Sequence, residues 1–406
     1  MVIVGAGECG TRAAFALREA GYDGPVTLLG DEPHLPYERP PLSKEGMVAE
    51  GEVQPKMIAD EARLSSNGIV HRRGIRVTTI DRRHKRLATS EGEIPYEKLL
   101  LATGAAPRRL TREGTDIPHV AYLRTLVDAA YIRTRLMLDS KLIVIGGGFI
   151  GFELAASAVA LGAAVTVVEV LPRILSRGVP EEIATIVAAR HQAAGVKIVT
   201  GVPVAQIETA LDAARLTLAD GTVLDADLLV AGIGAIPATG LAEAAGLEIA
   251  NGIAVDTHLA TADPDIFAAG DCCSFPLAIY GNRRVRLESW RNAQDQGTVA
   301  AKNMLDVAEP HVAVPWFWSD QHDLTLQIAG LADEGQTTVR RDLGDGAFIL
   351  FHLAADGRLV AASGIGTGNT VAKDIRLAEM LVGRSARPDA AALARADVKL
   401  KAMLEG

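Results

Sequence analysis

Residues 142–169, LIVIGGGFIGFELAASAVALGAAVTVVE, constrain this chain more than any other stretch. The apolar run 142–145 reads as a buried strand, and Gly146, Gly148 and Gly151 follow it in G-x-G-x-x-G spacing, ahead of a helix of small residues. Each glycine has a geometric reason. The first permits a tight turn, the second lets backbone approach a pyrophosphate, and the third lets helix pack close on strand. Phosphate would then sit on the helix N-terminus, where unpaired N–H groups and the dipole attract anions. A second strand over 164–168 ends in Glu169, about 20 residues past the glycines, where folds of this kind place an acid on ribose hydroxyls. The glycine spacing alone would also fit a merely tight strand-to-helix turn. Strand, glycines, helix, strand and terminal acid in register point to a bound dinucleotide.

The same plan opens the chain. Residues 2–4 read as a strand, Gly5, Gly7 and Gly10 repeat the spacing, 11–20 read as a helix ended by Gly21, and 26–29 as the next strand. Gly30 is followed by two acids, of which Asp31 is expected to take the ribose and Glu32 to be its solvated neighbour. Two complete units imply two dinucleotides, or one working site and one relic, and intact glycines and acids in both copies favour two. Matching strand ends, LLLATGAAP at 99–107 and LLVAGIGAIP at 228–237, extend the repeat to the size of a domain. After residue 241 the chain is expected to return to the first domain. It does so through DIFAAGDCCSF at 265–275, where Asp271 can accept from ribityl hydroxyls, and a helix over 292–305. From about residue 309 the character changes: PWFWSDQ, strands at 337–341, 348–353 and 359–363, then helices near 371–381 and 389–403, a separate α+β domain.

The 406 residues allow two or three domains, and 49% hydrophobic content with 4% aromatics suits short parallel strands rich in Val, Ile and Ala. A formal net charge of -9 argues against a general nucleic-acid binder. No apolar run is long enough to cross a bilayer, and a strand opening at residue 2 leaves no room for a signal peptide. The expected setting is the reducing cytoplasm. Cys9, inside the first fingerprint, reads as a small buried residue, and adjacent Cys272 and Cys273 would close only a strained ring. A dithiol mechanism is therefore disfavoured. The histidines are scattered without metal-ligand spacing, and no G-x-S-x-G elbow occurs. The reactive centre must be brought in, and a flavin can couple a two-electron nicotinamide to a one-electron carrier.

Between the glycine units lies HLPYERPPLSKEGM at 34–47. Pro40 and Pro41 impose an extended backbone, and Ser43 can cap a following turn, which holds Arg39 and Lys44 in a fixed segment. Close to a flavin, the lysine could donate to ring N5 and the arginine could reach pyrophosphate, but local sequence alone favours ordinary surface charges. Arg72, Arg73, Arg76, Arg82, Arg83, Lys85 and Arg86 read as a solvated basic face. Trp316 and Trp318 could equally stack on a flavin or pack a domain interface.

Together, GAGECG, GDEPHLPYERPPLSK, LLLATGAAPR, YLRTL, GGGFIGFELAAS, VEVLPRILSR, IFAAGDCCSF, ESWRNAQDQG and PWFWSDQ resemble one family over essentially the whole chain. It is that of the FAD-containing, NADH-dependent ferredoxin reductases of bacterial multicomponent oxygenase systems, with putidaredoxin and rubredoxin reductases and apoptosis-inducing factor among its relatives. The nearest likeness is to reductase components of aromatic-ring dioxygenases. The resemblance implies an α/β fold with two Rossmann-like dinucleotide-binding domains, for FAD at 1–108 and 241–308 and for NAD at 109–240, plus a C-terminal α+β domain at 309–406. It implies that Gly5, Gly7, Gly10, Asp31, Arg39, Lys44, Val77, Arg124 and Asp271 hold FAD, with Trp318 near the isoalloxazine. NADH would be held by Gly146, Gly148, Ile150, Gly151, Glu169, Arg177 and Gly232.

By the same likeness Lys44 and Glu153 are the catalytic residues, meeting near flavin N5 to orient the two rings. Glu153 in a first helical turn also suits the helix dipole, its structural alternative. Glu169, beside Val170 rather than a cation, implies NADH over NADPH, although Arg173 and Arg177 follow closely. The implied activity passes electrons from NADH through FAD to a small [2Fe-2S] ferredoxin that feeds a terminal oxygenase in aromatic catabolism. No side chain need act as acid or nucleophile. A rubredoxin or a cytochrome P450 ferredoxin as partner is one alternative, and a redox-sensing FAD/NADH interaction protein is another. Arg283, Arg284, Arg286 and Arg291 would either meet an acidic ferredoxin or form a solvated face.

Overall fold

Short runs of Val, Ile and Leu, buried throughout in Val2–Val4, Leu99–Leu101 and Leu228–Ala231, form the centre of the parallel sheets of the computed structural model, which describes residues 1–404. The chain divides into two units. The first comprises Met1–Glu38, Lys56–Ala106 and Ile236–Pro315, and the second comprises Arg39–Pro55, Pro107–Ala235 and the chain from Trp316 onward.

In the first unit, five parallel strands stand in the order Ile266–Ala268, Leu99–Leu101, Val2–Val4, Val26–Leu29, Ile69–Arg72. Val2 pairs with Thr27 on one side and Leu99 on the other. The helix expected over 11–20 begins earlier, at Glu8–Glu19, because the glycine turn delivers the chain straight into it with Gly7 as N-cap. Gly21, at φ +83°, lies just beyond its end. The helix Trp290–Asn303 packs along it. A Cβ on Gly297 would stand 2.5 Å from the Cys9 carbonyl oxygen, so only glycine allows this approach. The strand expected within 265–275 closes at Ala268, and Gly270, at φ +80°, turns the chain through Gly270–Cys272 into a further strand, Cys273–Leu277.

The basic stretch 72–86 is not a bare face. Arg72 pairs with Glu91 (2.9 Å), Arg82 with Asp263 (2.8 Å), Lys85 with Asp265 (2.6 Å) and Arg86 with Glu93 (2.8 Å). It is a mesh of mixed charge, individually worth little to stability.

In the second unit, four parallel strands stand in the order Lys197–Thr200, Ala164–Glu169, Lys141–Ile145, Leu228–Ala231, with Ile145 opposite Val168 and Ala231. The C-terminal part is an antiparallel sheet ordered Trp316–Gln321, Leu324–Gly330, Leu359–Thr367, Ala347–Leu353, Thr337–Gly344, with the helix Ala372–Gly383 packed on it. The single helix expected over 389–403 is a correction. Ala390–Ala394 is helical, Arg395 leaves the helix at ψ 117°, and only a short 3-10 turn, Leu400–Leu404, follows. The cause is Arg341, whose guanidinium is buried and donates to the carbonyls of Leu393, Ala396 and Val398, groups that a continuous helix would have used itself. The segment holding Pro40–Ser43 and the short helix Glu45–Val48 packs on the helix Phe149–Ala160. Among the described residues no helix is long and apolar enough to cross a membrane.

Candidate active site

Both glycine turns have the geometry their spacing predicts. A Cβ on Gly5 would stand 2.1 Å from the Ala102 carbonyl oxygen, and one on Gly10 would stand 1.9 Å from that of Gly5. A Cβ on Gly7 would meet nothing within 4 Å. In the second unit the corresponding figures are 2.3 Å from Gly232 O for Gly146 and 2.5 Å from Gly146 O for Gly151, while Gly148 has only Gly232 O at 4.0 Å. First and third glycines are thus demanded by the fold itself. The second leaves the backbone bare at the N-terminus of a 12-residue helix. A dinucleotide pyrophosphate fits that arrangement in both units.

Glu169 ends its strand with its carboxylate fixed, accepting from the N–H groups of Gly147 (2.7 Å) and Leu171 (2.8 Å). A carboxylate offers about four lone-pair sites, so capacity remains for two ribose hydroxyls. Ile150 is half exposed on the first turn of the following helix, and Arg177 reaches toward Gly234, two residues past Gly232. In the first unit Asp31 is exposed, with Arg76 3.9 Å away, whereas Glu32 accepts from the Tyr37 hydroxyl at 2.5 Å. The neighbour expected to be solvated is therefore the one engaged by the protein. Val77 is buried at the start of Val77–Asp81, and Asp271 sits in the turn Gly270–Cys272.

The second unit brings Lys44, Glu153 and Trp318 together. Lys44 Nζ lies 3.3 Å from Glu153 Oε1 and 5.0 Å from the Trp318 ring, which Trp316 stacks upon. Glu153 is 7% exposed, in the first turn and a half of Phe149–Ala160. Its carboxylate accepts from Ser43 Oγ and Ser319 Oγ, each at 2.6 Å. Burial pushes the Glu153 carboxyl above its ordinary range, opposed by the Lys44 ammonium and then by the two hydroxyls. Asp320 stands 3.8 Å from Lys44 and accepts from Trp318 Nε1 at 3.0 Å, so the indole and the ammonium are tied to one carboxylate. Arg39 Nη1 donates to the Arg124 carbonyl at 2.6 Å, placing those two side by side.

Sequence reasoning missed Ser319, Asp320, Gln321, His191 and His322. Ser319 and Gln321 lie inside the WFWSDQ stretch, and their alternation in Trp316–Gln321 puts both on the buried face. His191 carries no sequence signal at all. Ser43, expected as a turn cap, directs its hydroxyl to Glu153 at 2.6 Å, with only a 3.3 Å contact to the Pro40 carbonyl. The arginine cluster is largely engaged within its own chain. Arg284 donates to the carbonyls of Ser274 and Val255, Arg286 pairs with Glu288, and Arg291 pairs with Asp295.

Two nucleotide-binding units of one plan, with a buried lysine–carboxylate pair at the second, define an oxidoreductase whose electrons are carried by dinucleotide cofactors. The cysteines do not compete for that role: Cys9, Cys272 and Cys273 are free and buried, and burial pushes each thiol above its usual range, away from the reactive thiolate. Residues 1–297 match the family described as pyridine nucleotide-disulphide oxidoreductase, and residues 316–404 match that described as reductase C-terminal. The chain belongs to this family, whose members use FAD and NAD(H).

Among its relatives is the ferredoxin–NAD(+) reductase component of the anthranilate 1,2-dioxygenase system of Burkholderia cepacia, 40% identical, covering 99% of this chain and 98% of that protein. The ferredoxin reductase for the CYP199A2 system of Rhodopseudomonas palustris superposes with a TM-score of 0.92 at 37% identity, over 99% of this chain and 98% of the other. The putidaredoxin reductase–putidaredoxin covalent complex gives 0.90 at 34% identity, over 100% and 97%.

Proposed function

We propose that this chain is the NADH-dependent ferredoxin reductase of a multicomponent oxygenase system, delivering electrons through FAD to a small [2Fe-2S] ferredoxin, with an aromatic-ring dioxygenase as the terminal partner. The observation that carries the reading is full-length likeness to the anthranilate dioxygenase reductase component, over 99% of the chain. The glycine turns alone would serve any enzyme with two dinucleotides. We assign residues 1–108 and 241–308 to FAD, 109–240 to NAD, and 309–406 to the C-terminal domain. Gly5, Gly7, Gly10, Asp31, Arg39, Lys44, Val77, Arg124, Asp271 and Trp318 would hold FAD. Gly146, Gly148, Ile150, Gly151, Glu169, Arg177 and Gly232 would hold NADH. Three buried thiols suit a cytoplasmic setting.

A flavin held by these residues would supply two-electron acceptance from a nicotinamide and single-electron release. The residues have a positioning and electrostatic task. Glu153 fixes the Lys44 ammonium, Asp320 ties that ammonium to the Trp318 indole, and the charge so held can stabilise an anion that forms beside it. Glu169 reads the ribose and repels a phosphate on it.

The test is NADH-dependent cytochrome c reduction. Rapid turnover only when a [2Fe-2S] ferredoxin is added supports the reading, and no dependence on ferredoxin removes it. A second reading, in which the ferredoxin serves an oxygenase other than a ring dioxygenase, is favoured by likeness to the CYP199A2-system and putidaredoxin reductases. Comparing ferredoxins of the two kinds as acceptors separates these.

A further inference from the structure

Behind Glu153 runs a series of hydrogen bonds that the pairing with Lys44 does not require. Ser319 Oγ donates to Glu153 Oε1 at 2.6 Å, and Gln321 Nε2 donates to Ser319 Oγ at 3.0 Å. His191 Nε2 lies 3.0 Å from Gln321 Oε1, and His322 Nε2 lies 3.2 Å from His191 Nδ1. Ser319, Gln321 and His191 are 1%, 3% and 0% exposed, so water cannot substitute for a missing partner. An amide oxygen only accepts, and therefore His191 Nε2 carries the proton. In the neutral ring Nδ1 is then an acceptor, and His322 Nε2 must donate to it. Every bond in the series donates toward the carboxylate.

We propose that Gln321, His191 and His322 are positioning residues for Glu153, acting through Ser319 to aim its hydroxyl at the carboxylate and so favour the ionised form that pairs with Lys44. The physical reason lies in the reverse arrangement. If the Gln321 amide turned over, its oxygen would face Ser319 Oγ, and one hydroxyl hydrogen would have to serve two acceptors. Glu153 would lose that donor for part of the time. In the observed arrangement His191 presents an N–H that the amide oxygen receives, and His322 Nε2, donating to His191 Nδ1, favours that tautomer. Burial pushes His191 down to about 4 and also lowers His322, so both rings are neutral at neutral pH, as the series requires.

The charged groups facing this cluster are few. Lys44 comes from the 39–55 segment, Asp320 stands beside Lys44 on the edge strand, and the Arg190–Asp323 pair closes the outer end next to His322. The inference rests on the reading of Glu153 as the carboxylate of the proposed reductase site, and its test is therefore independent of turnover.

In the holoenzyme, the carbonyl stretch of protonated Glu153 is followed by infrared titration and identified by its loss in Glu153→Gln. Ser319→Ala is expected to raise the titration midpoint by about one pH unit, the size of one hydrogen bond to a charged group. Gln321→Leu and His322→Ala are expected to raise it by a smaller amount, and Ser319→Thr, which keeps the hydroxyl, to restore the wild-type value. His322 is only part-buried at the outer end, so its variant tests the series without opening the core. Unchanged midpoints in both Gln321→Leu and His322→Ala would overturn the proposal even if Ser319→Ala shifts. Ferredoxin reductase activity, measured separately, would fail for all variants and wild type alike if only the functional reading were wrong.

Discussion

A carboxylate at a strand end discriminates between nucleotides by what it repels as much as by what it binds. Glu169 is held by two backbone N–H groups, so it cannot swing away from a 2′-phosphate. Replacing it with alanine is expected to lower kcat/KM for NADH by about 10- to 100-fold, the worth of charged hydrogen bonds, and to raise that for NADPH, because the repulsion of its 2′-phosphate is removed. Comparable kcat/KM for the two nucleotides in the unaltered protein would remove the assignment. This residue was legible because its place follows from local register: strand, glycines, helix, strand, acid. The pairing of Lys44 with Glu153 was not legible from local residues, which favoured a surface charge. Only a resemblance extending over the whole chain brought the two together. Gln321 and His191 were beyond reach, because they are separated by 130 positions and each alone is an unremarked polar residue.

Each glycine turn separates two demands that a sequence pattern merges. A Cβ at Gly10 would overlap the Gly5 carbonyl, and that carbonyl belongs to the turn itself, so neither partner can retreat. Gly10→Ala is expected to destabilise the fold by about 1–3 kcal/mol or more, seen as a lower Tm and poor recovery of folded protein. A Cβ at Gly7 meets nothing of the protein, and Gly7→Ala should keep the far-UV circular dichroism while the bound flavin per chain falls. If Gly7→Ala retained full flavin content, the second glycine would not be the point of close backbone approach. The inner strands of the two parallel sheets were legible for the same reason as the turns, as apolar runs between turn residues, whereas the edge strand Lys197–Thr200, with no fully buried residue and a lysine at its start, was not. The break after Ala394 was not, since alanine-rich composition favours helix and the buried Arg341 that takes its carbonyls lies 52 to 57 positions away.

Across the whole molecule, buried histidines are expected to make the fold sensitive to acid. His191, His311 and His352 are buried, and desolvation pushes each down to about 4 from an ordinary value of 6.5. The unfolded chain therefore binds these protons more tightly than the folded one. Their contribution is complete above about pH 6.5 and is lost as pH falls toward 4, by up to about 3 kcal/mol for each ring. Glu8 and Glu153 act in the opposite sense, because burial raises their carboxyls and the folded protein holds those protons more tightly. Their effect favours the folded state on the acid side and weakens as pH rises through their folded values. With burial also lowering His71 and His322, and hydrogen bonds offsetting the carboxyl shifts, the histidines should prevail. Tm is expected to fall steadily between pH 7 and pH 5. His352 has one partner, Ser363 Oγ at 3.1 Å, so His352→Asn should flatten that fall without touching either nucleotide unit's glycine turn. A Tm independent of pH over this interval in both the wild type and His352→Asn would show that the buried rings do not govern the acid response.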